Sequence, residues 1–286
     1  MTGLYRMSEK DMTASKKGAF MRLKDKVVLV TASTRGIGYA VAEACAKEGA
    51  IVYMGARNLD AAKEKADALN AQGFRVSYVY NDATKEETYQ TMVDEVAEKE
   101  GRIDVLVNNF GTSDPKKDLD FAHTDPQTFI ETVNINLKSV FLTSQAACKY
   151  MRAQGGGSII NISSIGGLVP DISQVGYGTS KAAINYLTKL IAVQEARSGI
   201  RCNVVLPGMT ATDAVNDKLT DGFKNMFLKN TPIPRMAAPD EIAQAVIYFA
   251  SDAAAYTTGQ VLAVAGGFGM ATPIFGDLIG NANARG

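Results

Sequence analysis

The sequence predicts an α/β fold with one doubly wound parallel sheet of about seven strands and helices on both faces. Short runs rich in β-branched residues alternate with longer amphipathic segments along the chain. Such alternation is typical of strand–helix–strand crossovers, which join parallel strands. Strand runs such as VVLV at 27–30 are apolar throughout, as expected where helices cover both faces of a sheet.

Each predicted element follows from its local pattern. Strands are assigned to short runs of β-branched and aromatic residues, and helices to the longer segments between them. The predicted strands are 27–31 (VVLVT), 51–55 (IVYMG), 76–80 (VSYVY), 103–108 (IDVLVN), 158–163 (SIINIS), 202–206 (CNVVL) and 260–265 (QVLAVA). The predicted helices are 37–48, 60–71, 85–100, 126–153, 175–197 and 239–251.

Composition and charge indicate an ordinary globular protein. Of the 286 residues, 46% are hydrophobic and 21% charged, and 30 Lys and Arg balance 30 Asp and Glu. This balance gives no electrostatic reason to expect a nucleic acid or a membrane surface as a partner. Residues 1–20 are polar and lack the apolar run of a signal peptide. We therefore expect a loose tail, a single domain over 21–286 and a cytoplasmic protein.

The scarcity of histidine and the placing of the cysteines exclude several kinds of site. Cys45, Cys148 and Cys202 lie far apart without CxxC spacing, so buried free thiols are expected. The single histidine, His123, lies in the polar stretch FAHTDP and is interpreted as a solvated loop residue. A metal site is not expected, and a Ser-His-Asp hydrolase would have to use His123.

A glycine-containing turn, TASTRGIG (31–38), follows the first strand and leads directly into a helix. Gly36 and Gly38 allow the backbone to approach a pyrophosphate, and the helix N-terminus offers free N–H groups and a positive dipole end. A plain tight turn is the alternative. This Rossmann-like arrangement predicts a dinucleotide site whose first contacts come from Ser33, Thr34, Arg35 and Ile37.

The end of the second strand favours NADP(H) as the cofactor. An NAD site needs an acidic residue there for the ribose 2′-hydroxyl, whereas arginine accommodates a 2′-phosphate. This strand ends in GARN, with Arg57 and Asn58 and no carboxylate, and Arg35 can converge on the same phosphate. Each arginine taken alone is more often a solvated charge.

Two residues that follow the third strand extend the predicted site. Asp82 is interpreted as a hydrogen-bonding partner of the adenine amino group, with Ala83 beside it. The alternative is that Asp82 is a turn residue before a helix capped by Thr84, since Thr84 and Glu87 have the spacing of a capping box.

Tyr177 and Lys181 form the candidate catalytic pair. They are four residues apart in YGTSK, at the start of a predicted helix, so their side chains share one helix face. A phenol has a pKa near ~10, and an adjacent ammonium lowers it by favouring the phenolate. The pattern Tyr-x-x-x-Lys alone is common and usually structural.

Two polar residues at other predicted elements support this pair. Ser164 directly follows the fifth strand, where a hydroxyl can bind a substrate oxygen, and Asn136 lies within a predicted helix. The alternatives are a serine that caps a turn and a core asparagine whose hydrogen bonds are satisfied internally.

Two long segments follow strands directly and are expected to overhang the crevice at the carboxyl ends of the strands. The first is the polar loop 111–124. The second is the insertion 208–238, in which Phe223, Met226 and Phe227 lie among charged residues. This insertion is interpreted as a substrate lid or as a helix packed on the core.

Six motifs in order resemble those of the short-chain dehydrogenase/reductase family, and the resemblance covers nearly all of residues 23–269. The motifs are TASTRGIG, NNFG (108–111), INLKS around Asn136, ISSIGG around Ser164, YGTSK and LPGMTAT (206–212). Two positions depart from the family pattern: Ala32 stands where the first glycine is usual, and Phe110 replaces a common alanine.

The resemblance implies a role for each matching residue. Tyr177 would be the general acid/base, and Lys181 would lower its pKa and bind the nicotinamide ribose. Ser164 would orient the carbonyl or alcohol, and Asn136 would hold a proton-relay water. Asn108 would help shape the cofactor site, and the further implied cofactor contacts are Asn109, Gly111, Thr210 and Thr212.

Within the family, the chain is most similar to bacterial members that act on the 7α-hydroxyl of bile acids, in stretches such as SSIGGLVPDIS (163–173) and VAGGFGMATP (264–273). The resemblance implies reversible, NADP(H)-dependent interconversion of a secondary hydroxyl and a ketone on a small steroid. The largely apolar segment 182–193 predicts a helix buried all round, in the domain or against another subunit. The resemblance implies a homotetramer, since members of the family commonly form tetramers through the equivalent helix.

Three other functions stay open at this point. The first is the same chemistry on another substrate, as in a 3-oxoacyl carrier-protein reductase or a small-ketone reductase. The second is a nucleotide-binding redox sensor without catalysis, although such a protein is expected to lack the tyrosine or the lysine. The third is an esterase that uses Ser164, although no GxSxG elbow surrounds it.

Overall fold

The computed structural model describes residues 21–213, 215, 219–272 and 274–283, and the tail predicted at 1–20 lies outside this part of the chain. Seven strands form one parallel sheet. They are β1 (Val27–Thr31), β2 (Ile51–Ala56), β3 (Arg75–Tyr80), β4 (Val105–Asn108), β5 (Gly157–Ile162), β6 (Ile200–Pro207) and β7 (Val261–Val264).

Eight α-helices are found in the described residues. They are α1 (Gly36–Lys47), α2 (Leu59–Asn70), α3 (Glu87–Glu100), α4 (Pro126–Ala153), α5 (Val175–Glu195), α6 (Asp221–Lys229), α7 (Pro239–Ala250) and α8 (Phe275–Asn283). Asn58 caps α2 and Asp125 caps α4 through their side-chain oxygens, which satisfies N–H groups that lack a partner inside the helix.

The order of strands in the sheet is β3-β2-β1-β4-β5-β6-β7, with every neighbouring pair parallel. The predicted doubly wound sheet is confirmed. The chain moves outward from β1 to β3 and then crosses back to β4, so the direction of winding reverses between β1 and β4. A crevice opens at such a switch point, beyond the carboxyl ends of the strands.

Two hydrophobic clusters cover the two faces of the sheet. One includes Val41 of α1 and Ile247 of α7, and the other includes Met92 of α3 and Met151 of α4. The central strands β1 and β4 are fully buried, which explains why their sequences are apolar up to the last residue. All three cysteines are free and buried, as predicted.

The structure adds two helices to the six that were predicted. Helices α6 and α8 have nine residues each, and no side chain of α6 is buried. A helix of nine residues makes only about two and a half turns, which is too short for helical periodicity to be recognised in the sequence. Among the helices that the structure describes, no helix is long and apolar enough to cross a membrane.

Within the subunit, the segment 182–193 is buried on one face only. Ile184, Thr188 and Ala192 face the core, whereas Tyr186 and Val193 are exposed. Part of the apolar surface of this helix therefore lies on the outside of the subunit, and its contact with another subunit stays a prediction.

Candidate active site

A cleft of about 1770 Å³ lies at the carboxyl ends of the central strands. This is the position expected for a ligand-binding crevice, next to the switch point between β1 and β4. Most of the predicted site residues line it: Thr34, Arg35, Ile37, Arg57, Asn58, Asp82, Ala83, Asn109, Gly111, Ser164, Tyr177, Lys181, Thr210 and Thr212. The structure therefore brings together residues from seven separate stretches of the chain.

Tyr177 and Lys181 lie in the first two turns of α5. The Lys181 Nζ atom lies 5.4 Å from the centroid of the Tyr177 ring and donates a hydrogen bond to the carbonyl oxygen of Ile162 at 3.0 Å. Lys181 is only 2% exposed. A Cβ atom on Gly111 would lie 2.6 Å from this ammonium, so the glycine of NNFG leaves the room that the lysine occupies.

The electrostatics of this pair differ from the expected pattern. Burial raises the pKa of Tyr177, and a hydrogen bond with the Ser164 side chain acts in the opposite direction. Burial also lowers the pKa of Lys181 to about 8. The loss of hydration dominates for both groups, and the lowering of the phenol's pKa by the ammonium stays a prediction.

Ser164 combines a site position with a structural role. Its hydroxyl interacts with the Tyr177 side chain and also accepts a hydrogen bond from the Gly166 N–H at 3.1 Å, which caps the short 3₁₀ turn Ile165–Gly167. The hydroxyl therefore caps a turn, as one interpretation predicted, and its binding of a substrate oxygen stays a prediction.

Asn136 is fully buried in the middle of α4. Its Oδ1 accepts from the Thr112 N–H at 2.9 Å, and its Nδ2 donates to the Thr112 carbonyl at 2.9 Å and to the Ser180 Oγ at 3.0 Å. The side chain therefore ties loop 111–124 to α5. Its proposed hold on a relay water stays a prediction.

The glycine turn is braced by Asn109. This side chain donates to the carbonyl oxygens of Thr31 and Ala32, and a Cβ atom on Gly38 would lie 2.4 Å from its Nδ2. Ala32 takes φ +50°, a left-handed conformation that favours glycine. The departure from the family's first glycine thus places a residue with a Cβ in a strained conformation.

One predicted cofactor contact does not line the cleft, and Asn108 lies beneath it. Ser33 is fully buried, and its hydroxyl donates to the Val30 carbonyl oxygen at 2.9 Å, so its side chain closes the end of β1 and does not line the cleft. Asn108 lies in the core, where it donates to Ser144 and Asn161. Asn108 can therefore influence the cleft only through the packing of the core beneath the cleft.

Asp82 makes a turn that differs from the predicted cap. Its Oδ1 accepts from both the N–H and the hydroxyl of Thr84, and these bonds, with a smaller effect of Arg57, lower the pKa of the carboxyl group. Helix α3 begins at Glu87 without a cap from Thr84. The carboxylate nevertheless lines the cleft, so the adenine contact stays a prediction.

Aromatic side chains form one wall of the cleft. Phe223 and Phe227 of α6 line it, and the ring of Phe227 stacks on Phe268 with centroids 3.9 Å apart. Helix α6 does not pack into the core, in contrast to one of the two interpretations of the insertion. A lid function for 208–238 stays a prediction.

Several lining residues were missed by sequence reasoning. They include Phe121, Leu168, Ile172 and Phe268. Phe268 follows β7 as Ser164 follows β5, so the rule that ligands bind beyond strand ends was the signal that could have found it. Phe121 and Ile172 are isolated apolar residues in loops, and no local pattern marks such residues.

The geometry weakens the esterase alternative. His123 is exposed, and its Nδ1 pairs with Asp120 at 2.8 Å, as expected for a solvated loop residue. The Ser164 hydroxyl interacts with Gly166 and Tyr177 instead. A hydrolase of this type needs a hydrogen bond between its serine and its histidine. Here Ser164 and His123 each bind other residues.

Comparison with known proteins supports an oxidoreductase. The profile of the family described as Enoyl-(Acyl carrier protein) reductase matches residues 31–269. The 7α-hydroxysteroid dehydrogenase of Clostridium sardiniense is 49% identical over 256 residues, which is 90% of this chain and 98% of that protein. The 3-oxoacyl-[acyl-carrier-protein] reductase of Thermotoga maritima is 37% identical over 250 residues, 86% of this chain and 99% of that protein.

A solved structure gives the same result in three dimensions. A 7α-hydroxysteroid dehydrogenase in complex with NADH and 7-oxoglycochenodeoxycholic acid superimposes with a TM-score of 0.82 at 32% identity. The match covers 87% of this chain and 96% of that one. Fold and sequence thus agree on the same group of proteins.

Proposed function

Because the chain belongs to the short-chain dehydrogenase/reductase family, we propose that it is an NADP(H)-dependent oxidoreductase acting reversibly on the 7α-hydroxyl of bile acids. The observation that carries the chemistry is the meeting of three groups in one cleft. The Tyr177 phenol, the Ser164 hydroxyl and the Lys181 ammonium lie between the glycine turn and the aromatic wall.

The glycine turn fits a dinucleotide. Helix α1 begins after Arg35 with no side-chain cap and no acidic residue in its first turn, so its free N–H groups and positive dipole end are available to a phosphate. Arg35 and Arg57 are exposed at the same end of the cleft. Neither forms an ion pair within the described residues.

We expect Arg57→Ala to separate the two nicotinamide cofactors. The substitution removes a cation that faces the 2′-phosphate, so the Michaelis constant for NADP(H) should rise about tenfold or more, as for a lost charge-assisted contact. The constant for NAD(H) should change less than about twofold. Initial rates at varied cofactor concentration measure both, and equal rises would remove the preference for NADP(H).

Bound cofactor would accept or supply the hydride. The residues of the chain manage the proton. In the oxidation direction, the Tyr177 phenolate oxygen takes the proton of the substrate hydroxyl, and Ser164 orients that oxygen by hydrogen bonding. Lys181 binds the nicotinamide ribose and places its positive charge beside the phenol. Asn136 connects this pair to the loop at the mouth of the cleft and holds the relay water.

The aromatic wall suits an apolar ring system. Phe223, Phe227 and Phe268 line the same cleft as the proposed reacting groups, and large ligand sites are lined mostly by apolar and aromatic side chains. A steroid with few polar groups matches this surface. The names of the relatives from Clostridium sardiniense and of the solved complex support the same substrate class.

A panel of bile acids tests the proposal. The purified protein is incubated with NADP⁺ and bile acids that carry hydroxyls at position 3, 7 or 12, and NADPH formation is followed by absorbance. We expect turnover only where a 7α-hydroxyl is present, with the 7-oxo product identified by mass spectrometry. Turnover of a 3α-hydroxyl alone would contradict the regiochemistry but not the chemistry.

A second candidate is the reduction of a 3-oxoacyl thioester. The description of the matching family and the relative from Thermotoga maritima favour it. The same catalytic groups would serve, because both substrates offer a ketone to the Tyr177 phenol. Including a 3-oxoacyl thioester with NADPH in the panel separates the two, since the proposal predicts a much lower kcat/KM for it.

We also propose a homotetramer. The outer surfaces of α4 and α5 expose Ile130, Phe141, Tyr186 and Val193, apolar side chains that a contact between subunits would bury. Light scattering should then give a mass about four times that of the 30.5 kDa chain. A monomer at working concentration would remove this part of the proposal.

A further inference from the structure

The start of helix α5 is held by loop 111–124. The N–H of Val175 donates to the Leu119 carbonyl oxygen at 3.0 Å. The N–H groups of Gly176 and Tyr177 donate to the two oxygens of Asp118, at 2.8 and 2.9 Å. These are donors that a helix cannot satisfy internally. The loop therefore caps the helix that carries Tyr177.

The helix does not cap itself. Its N-cap residue, Gln174, makes no side-chain hydrogen bond to the first turn and has φ +51°, φ/ψ values in the left-handed region. Such a conformation persists in a residue other than glycine only where the surroundings impose it. The contact between Asp118 and the helix is therefore a long-range constraint, across 58 and 59 residues of sequence.

The Asp118 carboxylate is buried and fully engaged. It is 1% exposed, and Oδ2 also accepts from the Ser113 hydroxyl at 3.0 Å. Among the described residues it forms no ion pair with lysine or arginine. A buried carboxylate without hydrogen bonds is costly, and here helix N–H groups and the positive dipole end stabilise the charge.

The same loop forms part of the cleft wall. Ser113 and Phe121 line the cleft on either side of Asp118 in sequence, and Asn136 holds Thr112 against α4. The carboxylate thus lies between the wall that would contact a substrate and the residue that would exchange its proton. Any tilt of the first turn of α5 would change the distance between the two.

We propose that Asp118 is a positioning residue for Tyr177: it fixes the first turn of α5 against the substrate-lining loop and so sets the place of the phenol oxygen. The inference rests on the proposed role of Tyr177. Lys181 lies one turn further along and is held separately by the Ile162 carbonyl oxygen, so loss of the carboxylate should affect the phenol more than the cofactor site.

Asp118→Ala and Asp118→Asn test this inference. The alanine variant loses both acceptors, and a small misplacement of a reacting group costs up to about 10²-fold in rate, so we expect kcat to fall at least about tenfold. The dissociation constant of NADPH should stay within about twofold. The asparagine variant is nearly isosteric and keeps one acceptor oxygen, so it should fold like the parent protein and recover most of the lost kcat.

The matched control is Asp125→Ala, which removes the cap of α4 through the Thr128 N–H without touching α5. All rates are expressed per NADPH-binding site, which removes unfolded protein from the comparison. If Asp118→Ala retains the kcat of the control, or if Asp118→Asn is no better than Asp118→Ala, the inference fails. If Tyr177→Phe is active, the proposed function itself fails, whatever the Asp118 variants do.

Discussion

Tyr177→Phe should lower kcat in both directions by about 10³-fold, in the middle of the range that general acid–base catalysis contributes. The loss corresponds to about 4 kcal/mol of transition-state stabilisation. The substitution removes one oxygen and leaves the ring, which keeps its packing and its 5.4 Å approach to the Lys181 Nζ atom. Cofactor binding should therefore stay close to that of the parent protein.

The measurement combines single-turnover rates with a fluorescence titration of NADPH. Tyr150→Phe is a matched control because it also removes one hydrogen-bonded hydroxyl, which donates to Asp94 at 2.6 Å from the far end of α4. The control should keep its kcat. Activity of Tyr177→Phe within about tenfold of the parent would show that the proton travels by another group.

Lys181→Met should abolish most of the activity and make the protein more stable at neutral pH. Burial lowers the pKa of Lys181 from 10.5 to about 8, so keeping the charge in the folded protein costs about 3 kcal/mol. Losing the hydrogen bond to the Ile162 carbonyl oxygen offsets about 1 kcal/mol of that gain. The free energy of unfolding should rise by about 1–2 kcal/mol, while kcat falls by about 10²-fold or more.

The gain in stability should depend on pH in a defined direction. Below pH 8 the lysine is protonated in the folded and the unfolded chain, and the cost of burying its charge is fully present. Between pH 8 and 10.5 the folded protein loses the proton while the unfolded chain keeps it, so stability of the parent protein rises with pH. The difference in free energy of unfolding between the Lys181→Met variant and the parent protein should therefore become smaller as the pH rises from 8 to 10.5.

Urea denaturation at neutral pH and near pH 10 checks this result. Lys117→Met, in an exposed loop, is the control and should change the free energy of unfolding by less than about 0.5 kcal/mol. A methionine variant that is less stable than the parent at neutral pH would contradict the burial cost. Burying the charge of Lys181 would then lower the stability of the protein while serving its activity, a trade-off that is common at functional sites.

Sequence reasoning succeeded where the signal is local. The glycine turn, the spacing of Tyr177 and Lys181, and the position of Ser164 after β5 are patterns of a few residues. Parallel strands then bring their carboxyl ends to one edge without further information. For this reason most of the predicted contacts line one cleft, although their catalytic and binding roles await the experiments above.

The orientation of individual side chains shows where local reasoning ends. Ser33 and Asn108 belong to motifs that surround the cleft, yet their side chains point into the protein. Strand alternation and turn geometry decide which member of a motif faces the ligand. A match of motif letters therefore identifies the segment and not the orientation of each side chain in it.

By itself the sequence determined the order of strands and helices, the parallel sheet and the segments that build the cleft, because periodicity and turn chemistry are properties of neighbouring residues. Tertiary structure alone decided the burial of Lys181, the raised pKa of Tyr177 and the hold of Asp118 on α5. Burial, pKa shifts and long-range contacts depend on how much water and which distant groups surround a side chain. Neighbouring residues in the sequence do not determine either of these.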